Sequence, residues 1–160
     1  MAIEDMIAKP IFYFYLVHTP QNKIDEIIPM VEGQRIIFAT DNSKTLKSGR
    51  SQNCRVVAIP HNDSCGGICL IAQYSKGKVY MKQTGGTGKV GIADEEMLRV
   101  GLNSEYMMKK DMWMKAALIR DKTAIIKPDQ YLLLCCRITG DVFPEYVFQM
   151  VPSVEYQRQH

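Results

Sequence analysis

The sequence predicts an α+β domain with a mostly antiparallel β-sheet and two or three helices, and three observations point there. Short apolar runs of strand length recur along the whole chain. Several are separated by too few residues to hold a crossover helix, so they must pair antiparallel. Helical spacing of apolar residues is confined to the stretch after Thr19 and the stretch after Ala93. The 160 residues fit one domain, 1–160, and neither an internal repeat nor a linker divides them.

The first element is Ile11 to Val17, IFYFYLV, an unbroken apolar run bounded by Pro10 and by His18, Thr19 and Pro20; it predicts a central strand. Thr19 as N-cap and Pro20 at the first helical position, with Ile24, Ile27, Ile28 and Val31 following at helical spacing, predict a short helix. Pro29 would clash with the preceding turn, so that helix ends near Ile28 or kinks before Gly33. Arg35 to Ala39 and Arg55 to Ile59 are strands, the second stopped by Pro60. Ile68 to Tyr74 and Lys78 to Lys82 form a hairpin turning at Ser75, Lys76 and Gly77.

Beyond a glycine-rich turn the period changes. Asp94, Glu95 and Glu96 suit a helix N-terminus, and Met97, Leu98, Val100 and Leu102 carry a helix to about Asn103. A further helix is predicted from Ser104 to Arg120, its methionines packed into a core. Ala124 to Ile126, Tyr131 to Ile138 and Tyr146 to Val151 close the sheet, the last two joined through Thr139, Gly140 and Asp141.

Composition narrows the function. A net charge of +3 is too small to imply nucleic acid, and the most basic stretch, Asp41 to Asn53 with Lys44, Lys47 and Arg50, has no aromatic residue interleaved for base stacking. Nucleic acid is therefore not expected as a partner. No apolar run reaches the roughly 20 residues of a membrane span, and the first ten residues carry two acids and no long apolar core. The expectation is a cytoplasmic protein with no membrane contact. Five cysteines without a CxxC pair predict reduced thiols, no metal site and no cofactor, and nothing in the sequence indicates an oligomeric state.

The stretch with the look of chemistry is His61 to Asp94. Gly66 and Gly67 directly after Cys65 allow a sharp turn whose N–H groups could face a developing oxyanion. Gly86, Gly88 and Gly91 satisfy G-x-G-x-x-G, but the strand before them is half of a hairpin and not the opening of a βαβ unit. A Walker loop fails because Val90 follows Lys89.

The residues AIPHNDSCGGI and TGGTGKVGIAD resemble the nucleophile loop and following hairpin of picornavirus chymotrypsin-like cysteine proteases. The resemblance implies a viral cysteine endopeptidase-like domain, active or inactive, acting on a polypeptide. Cys65 would be the nucleophile, Gly66 and Gly67 would shape the oxyanion turn, and Lys82, Gly85 and Gly86 would line the substrate. A thiolate needs a nearby base, and of the two histidines that precede Cys65, His18 is the better candidate; Asp41 or Asp25 would orient it.

A second resemblance rests on FYLVH, IIFATDNSK and VFPEYVFQM, which look similar to segments of the ADP-ribosyltransferase domain of poly(ADP-ribose) polymerases. It implies NAD binding, with His18 at the ribose, Ser43 at the nicotinamide amide and Gln130 in the place of the catalytic glutamate. The third expectation is a non-enzymatic interaction protein, intracellular and viral, that binds a host protein.

Overall fold

The computed structural model describes residues 9–19, 27–40, 54–59, 67–100, 106–116, 122–139 and 141–154. The described residues fold into two β-sheets packed face to face. The strands are β1 (Phe12–His18), β2 (Ile27–Met30), β3 (Arg35–Thr40), β4 (Cys54–Ile59), β5 (Cys69–Ser75), β6 (Lys78–Gly85) and β7 (Val90–Ala93), followed by β8 (Leu98–Val100) and β9 (Tyr106–Met108). A helix of seven residues, α1 (Lys110–Ala116), comes next, then β10 (Thr123–Ile126), β11 (Tyr131–Thr139) and β12 (Asp141–Pro152).

The first sheet runs β2-β1-β12-β11-β7, with β9 also against β12 and β8 against β9. The second runs β10-β6-β5-β3-β4. Its β3 and β4 are parallel; every other pairing described is antiparallel. Alternation explains how strands from both sheets share one core. Phe12 and Phe14 on β1, Ile36 and Phe38 on β3, Val79 and Met81 on β6, and Phe148 and Met150 on β12 all point inward and are fully buried. Phe38 joins the layers, its ring 5.6 Å from Phe14 edge-on and 5.5 Å from Phe148.

The outer face of the first sheet carries a second apolar cluster. There Leu133 and Val147 are covered by Trp113 and Ala116 of α1 and by Met108 of β9. Gly91 makes this seating possible, because a Cβ on it would stand 2.7 Å from the Trp113 ring.

The helical expectation is overturned: the fold is mostly β, and among the described residues the single α-helix is α1. Ile27 and Ile28, expected to end a helix, belong to β2; the rest of that expected helix lies outside the described residues, apart from its Thr19 cap. The apolar residues there also fit a period of two, with Ile28 and Met30 buried while Ile27 is 53 % exposed. Pro29 is tolerated because β2 is an edge strand, where the missing N–H breaks no ladder.

The expected helix from Asp94 is a 3₁₀ turn, Glu95–Met97, followed by β8. The expected helix from Ser104 shrinks to α1, since Tyr106–Met108 pair as β9 with β8. Cross-strand pairing satisfies these backbones and lets alternate side chains reach the sheet, which a short isolated helix could not do. Val90 and Gly91, expected to end the glycine-rich turn from Gly85 to Gly91, instead open a buried strand, Val90–Ala93, against β11. β12 begins at Asp141, ahead of the predicted Tyr146, and accommodates Pro144 between the part that pairs with β9 and the part that pairs with β1. The β5–β6 hairpin forms as expected, with Lys76 and Gly77 both at positive φ (51° and 82°). Among the described residues, no helix is long and apolar enough to cross a membrane.

Candidate functional site

The outer face of the second sheet is built by strict alternation. On β6, Val79, Met81 and Gln83 point inward and are buried, which leaves Lys78, Tyr80, Lys82 and Thr84 facing outward. On β5 the outward residues include Ile71 and Gln73, on β3 Arg35 and Ile37, and on β10 Thr123 and Ile125. Register then aligns them in rows. Arg35, Gln73, Tyr80 and Ile125 are successive cross-strand partners, and Ile37, Ile71, Lys82 and Thr123 form the next row.

Between these rows lies an open recess of about 230 Å³ bordered by Arg35, Gln73, Tyr80, Lys82, Thr84 and Thr123. It is smaller than the roughly 300–1,000 Å³ of pockets that enclose a small ligand, so it serves as a platform and not as a closed chamber. Apolar floor is supplied by Ile71, packed on the buried Ile37, Ala39 and Cys69. Thr84 donates from Oγ1 to the Cys69 sulfur at 3.2 Å and occupies the bulge where the β5–β6 register shifts.

Charge is one-sided here. The five strands of this sheet contain Arg35, Arg55, Lys78 and Lys82 and not one aspartate or glutamate. Arg35, Lys78 and Lys82 are exposed on the outer face. A face with several cations and no carboxylate on its own strands favours an anion.

The glycine-rich turn has a different explanation. Gly86 has φ +83°, and a Cβ on it would fall 2.0 Å from the Gly67 carbonyl oxygen and 2.7 Å from the Ile68 nitrogen. Two backbones cross there in near contact, which only glycine permits. The Gly88 N–H donates to the Gly67 carbonyl at 2.8 Å, and the Gly88 carbonyl accepts from the buried Gln83 amide at 2.7 Å. With Gly91 under Trp113, each glycine of the G-x-G-x-x-G match is committed to chain packing. The backbone N–H of Gly88 is therefore not available to a phosphate.

Of the residues singled out for a protease, Cys65, Gly66, Asp41 and the alternative Asp25 lie outside the described residues. Gly67 and Gly86 are brought together, as a nucleophile loop beside a following hairpin would require, and Gly85 packs at ordinary distance on Cys69. Lys82 stands on the outer face with Tyr80. His18 goes elsewhere. Leu16 pairs with Phe148 and His18 with Val147, so Val17 is an extra residue and the bulge turns His18 to the outside of the first sheet, where its ring lies 5.7 Å from Tyr106. Gly67 closes on the second sheet, since Thr40 N–H bonds to the Ile68 carbonyl at 3.1 Å. His18 and the described end of the Cys65 loop thus belong to different sheets.

Of the residues proposed for NAD, Ser43 lies outside the described residues, and Gln130 is held at both ends of its amide. Its Nε2 donates to Asp94 at 2.8 Å, and its Oε1 accepts from the Lys127 N–H at 2.7 Å, which clamps the β10–β11 turn onto the end of β7. Among the described residues, no group of three or more His, Cys, Asp or Glu side chains could hold a metal.

Arg35, Gln73, Tyr80 and Thr123 are missing from the sequence expectations because they are scattered over almost ninety positions and meet only through strand register. The sign that could have found them is the absence of acids from every strand of the second sheet. No protein-family model matches the chain, and neither a curated protein nor a solved structure matches it.

Proposed function

We propose that the protein is a non-enzymatic binding module that takes an anionic partner on the outer face of its second sheet. The observation that carries this reading is the row geometry: Arg35 and Lys82 border an open recess with an apolar floor, on a sheet whose five strands add the exposed Lys78 and hold no acidic residue. Exposed cations steer an anion from a distance and contact it without deep burial, so their own desolvation is small. The neutral donors Gln73 and Thr123 at the recess supply hydrogen bonds that position the partner.

Calorimetric titration with inorganic polyphosphate at low ionic strength tests the reading. Binding is expected to weaken steeply with added salt, and the double charge reversal Arg35→Glu, Lys82→Glu is expected to abolish it while the melting temperature stays within a few degrees. Equal binding by the wild type and the double variant, or no binding by the wild type, removes the proposal.

A further inference from the structure

We infer that the anionic partner is a single-stranded nucleic acid, whose base stacks on Tyr80 while its phosphates lie on Arg35 and Lys82; the inference rests on the anion-binding reading and specifies its ligand. Among the described residues, Tyr80 is the aromatic side chain of this outer face. It stands in one row with Arg35, two strands away, and two positions from Lys82 along its own strand. Adjacent strands are spaced about 4.8 Å apart and alternate residues on a strand about 6.6 Å, so both cations flank the ring within reach of one nucleotide and its neighbours.

The kind of anion follows from the ring. A half-buried tyrosine is anchored by its strand neighbours and offers its remaining surface as a platform. Polyphosphate or an acidic peptide would use the cations and leave that surface idle. Duplexes keep their bases stacked inside, whereas an unpaired base offers a π-face that an aromatic residue on a sheet can take up. Gln73, with both a donor and an acceptor, is the cross-strand neighbour of Tyr80, and Thr123 is that of Lys82; together they can meet the polar edge of a base or a sugar hydroxyl. Ile125, 40 % exposed on the other flank of Tyr80, extends the apolar ground on which a second ring could lie.

The basic stretch Asp41 to Asn53 points away from nucleic acid in the sequence because no aromatic residue is interleaved among its basic residues. On the sheet the interleaving runs across strands, with Arg35 on β3, Tyr80 and Lys82 on β6 and Gln73 between them on β5.

The test is fluorescence anisotropy with four labelled probes of equal length: a mixed-sequence single strand, the same strand with abasic sites throughout, its duplex, and poly-glutamate. The single strand is expected to bind more tightly than the abasic strand, the duplex and poly-glutamate. Tyr80→Ala is expected to weaken the single strand about tenfold, given roughly 1–3 kcal/mol per stacked base, and to leave the abasic strand unchanged. Tyr80→Phe should restore stacking, and its retained affinity would separate the ring face from the hydroxyl. The two phosphate contacts, at Arg35 and Lys82, predict a salt slope of about −1.4 for the single strand.

Equal affinity for the intact and abasic strands, with Tyr80→Ala indifferent, would overturn the inference and leave the anion-binding reading standing. Preference for poly-glutamate would also overturn it and point to an acidic protein. Failure of every polyanion, polyphosphate included, would sink both.

Discussion

Replacing Gly86 by alanine isolates the crossing of the glycine-rich turn over Gly67 from the backbone strain that any such turn carries. Gly86 and Gly33 have nearly the same positive φ, +83° and +82°, but different surroundings. Around Gly33 nothing lies within 4 Å of an added Cβ, whereas at Gly86 the Cβ would meet three backbone atoms, Gly67 oxygen at 2.0 Å, Gly67 carbon at 2.3 Å and Ile68 nitrogen at 2.7 Å. An L side chain at this φ costs about 1–2 kcal/mol, partly offset by about 0.4–1 kcal/mol from a less flexible unfolded chain, so Gly33→Ala should lose about 1 kcal/mol. Gly86→Ala adds an overlap that no rotamer change can relieve, worth about 1–3 kcal/mol more. At about 2–4 °C per kcal/mol for a chain of this size, the melting temperatures should fall by about 3 °C and about 9 °C respectively. Thermal and urea unfolding followed by circular dichroism would read both, with unchanged m-values showing that the variants differ in stability and not in the surface exposed on unfolding. Equal losses in the two variants would refute the backbone crossing. A glycine kept only to let a phosphate approach would give that result and lose ligand binding instead.

Phe38→Ala removes the ring that contacts Phe14 and Phe148 across the interior and should destabilise by about 3–5 kcal/mol, measured by the urea midpoint; a loss below 1 kcal/mol would mean that the two sheets are not held together there. Burial pushes the Cys136 thiol up, against a smaller opposing pull from Lys89, and burial also raises Tyr131, helped by Glu95, Tyr106 and Asp129. Both groups have folded values above their unfolded ones, so their contribution is fully present below the unfolded pKa, near 9 for the thiol, and is lost as pH rises beyond it. The melting temperature should therefore decline above pH 9, and Cys136→Ala should flatten the thiol's part of that decline; an identical alkaline profile in the variant would count against it. Iodoacetamide should modify half-buried Cys54 well before Cys136 in the native protein, by mass spectrometry of peptides. In the same experiment a Cys65 that reacts no faster than Cys54 retires the cysteine protease reading, while a rate far above it would return attention to that loop.

Strand positions that bury one face were legible from their residues. FYFYLV, RIIFA and the hairpin YSKGK carry their own instructions, since unbroken apolar runs of strand length and a Lys-Gly turn at positive φ need no distant partner to be recognised. The short segments expected as helix fit two periods at once. Ile27 and Ile28, or Leu98 and Val100, fit both a helical and a strand period when only three or four residues are available, and which period wins depends on whether a neighbouring strand offers its edge.

What the sequence by itself determined is local: the glycines where the backbone must turn or crowd, the apolar runs that become the longer strands, and the one-sided charge of the segments that become the second sheet. Tertiary structure alone decided which of those runs meet. Register set Arg35, Tyr80 and Lys82 around a single recess, although they are scattered along the chain, and one inserted residue at Val17 turned His18 out of the core and onto Tyr106. The physical reason is that a strand's side chains alternate with period two, so the partner strand and a single bulge, neither of which a local window contains, decide the face and the neighbours of every functional side chain.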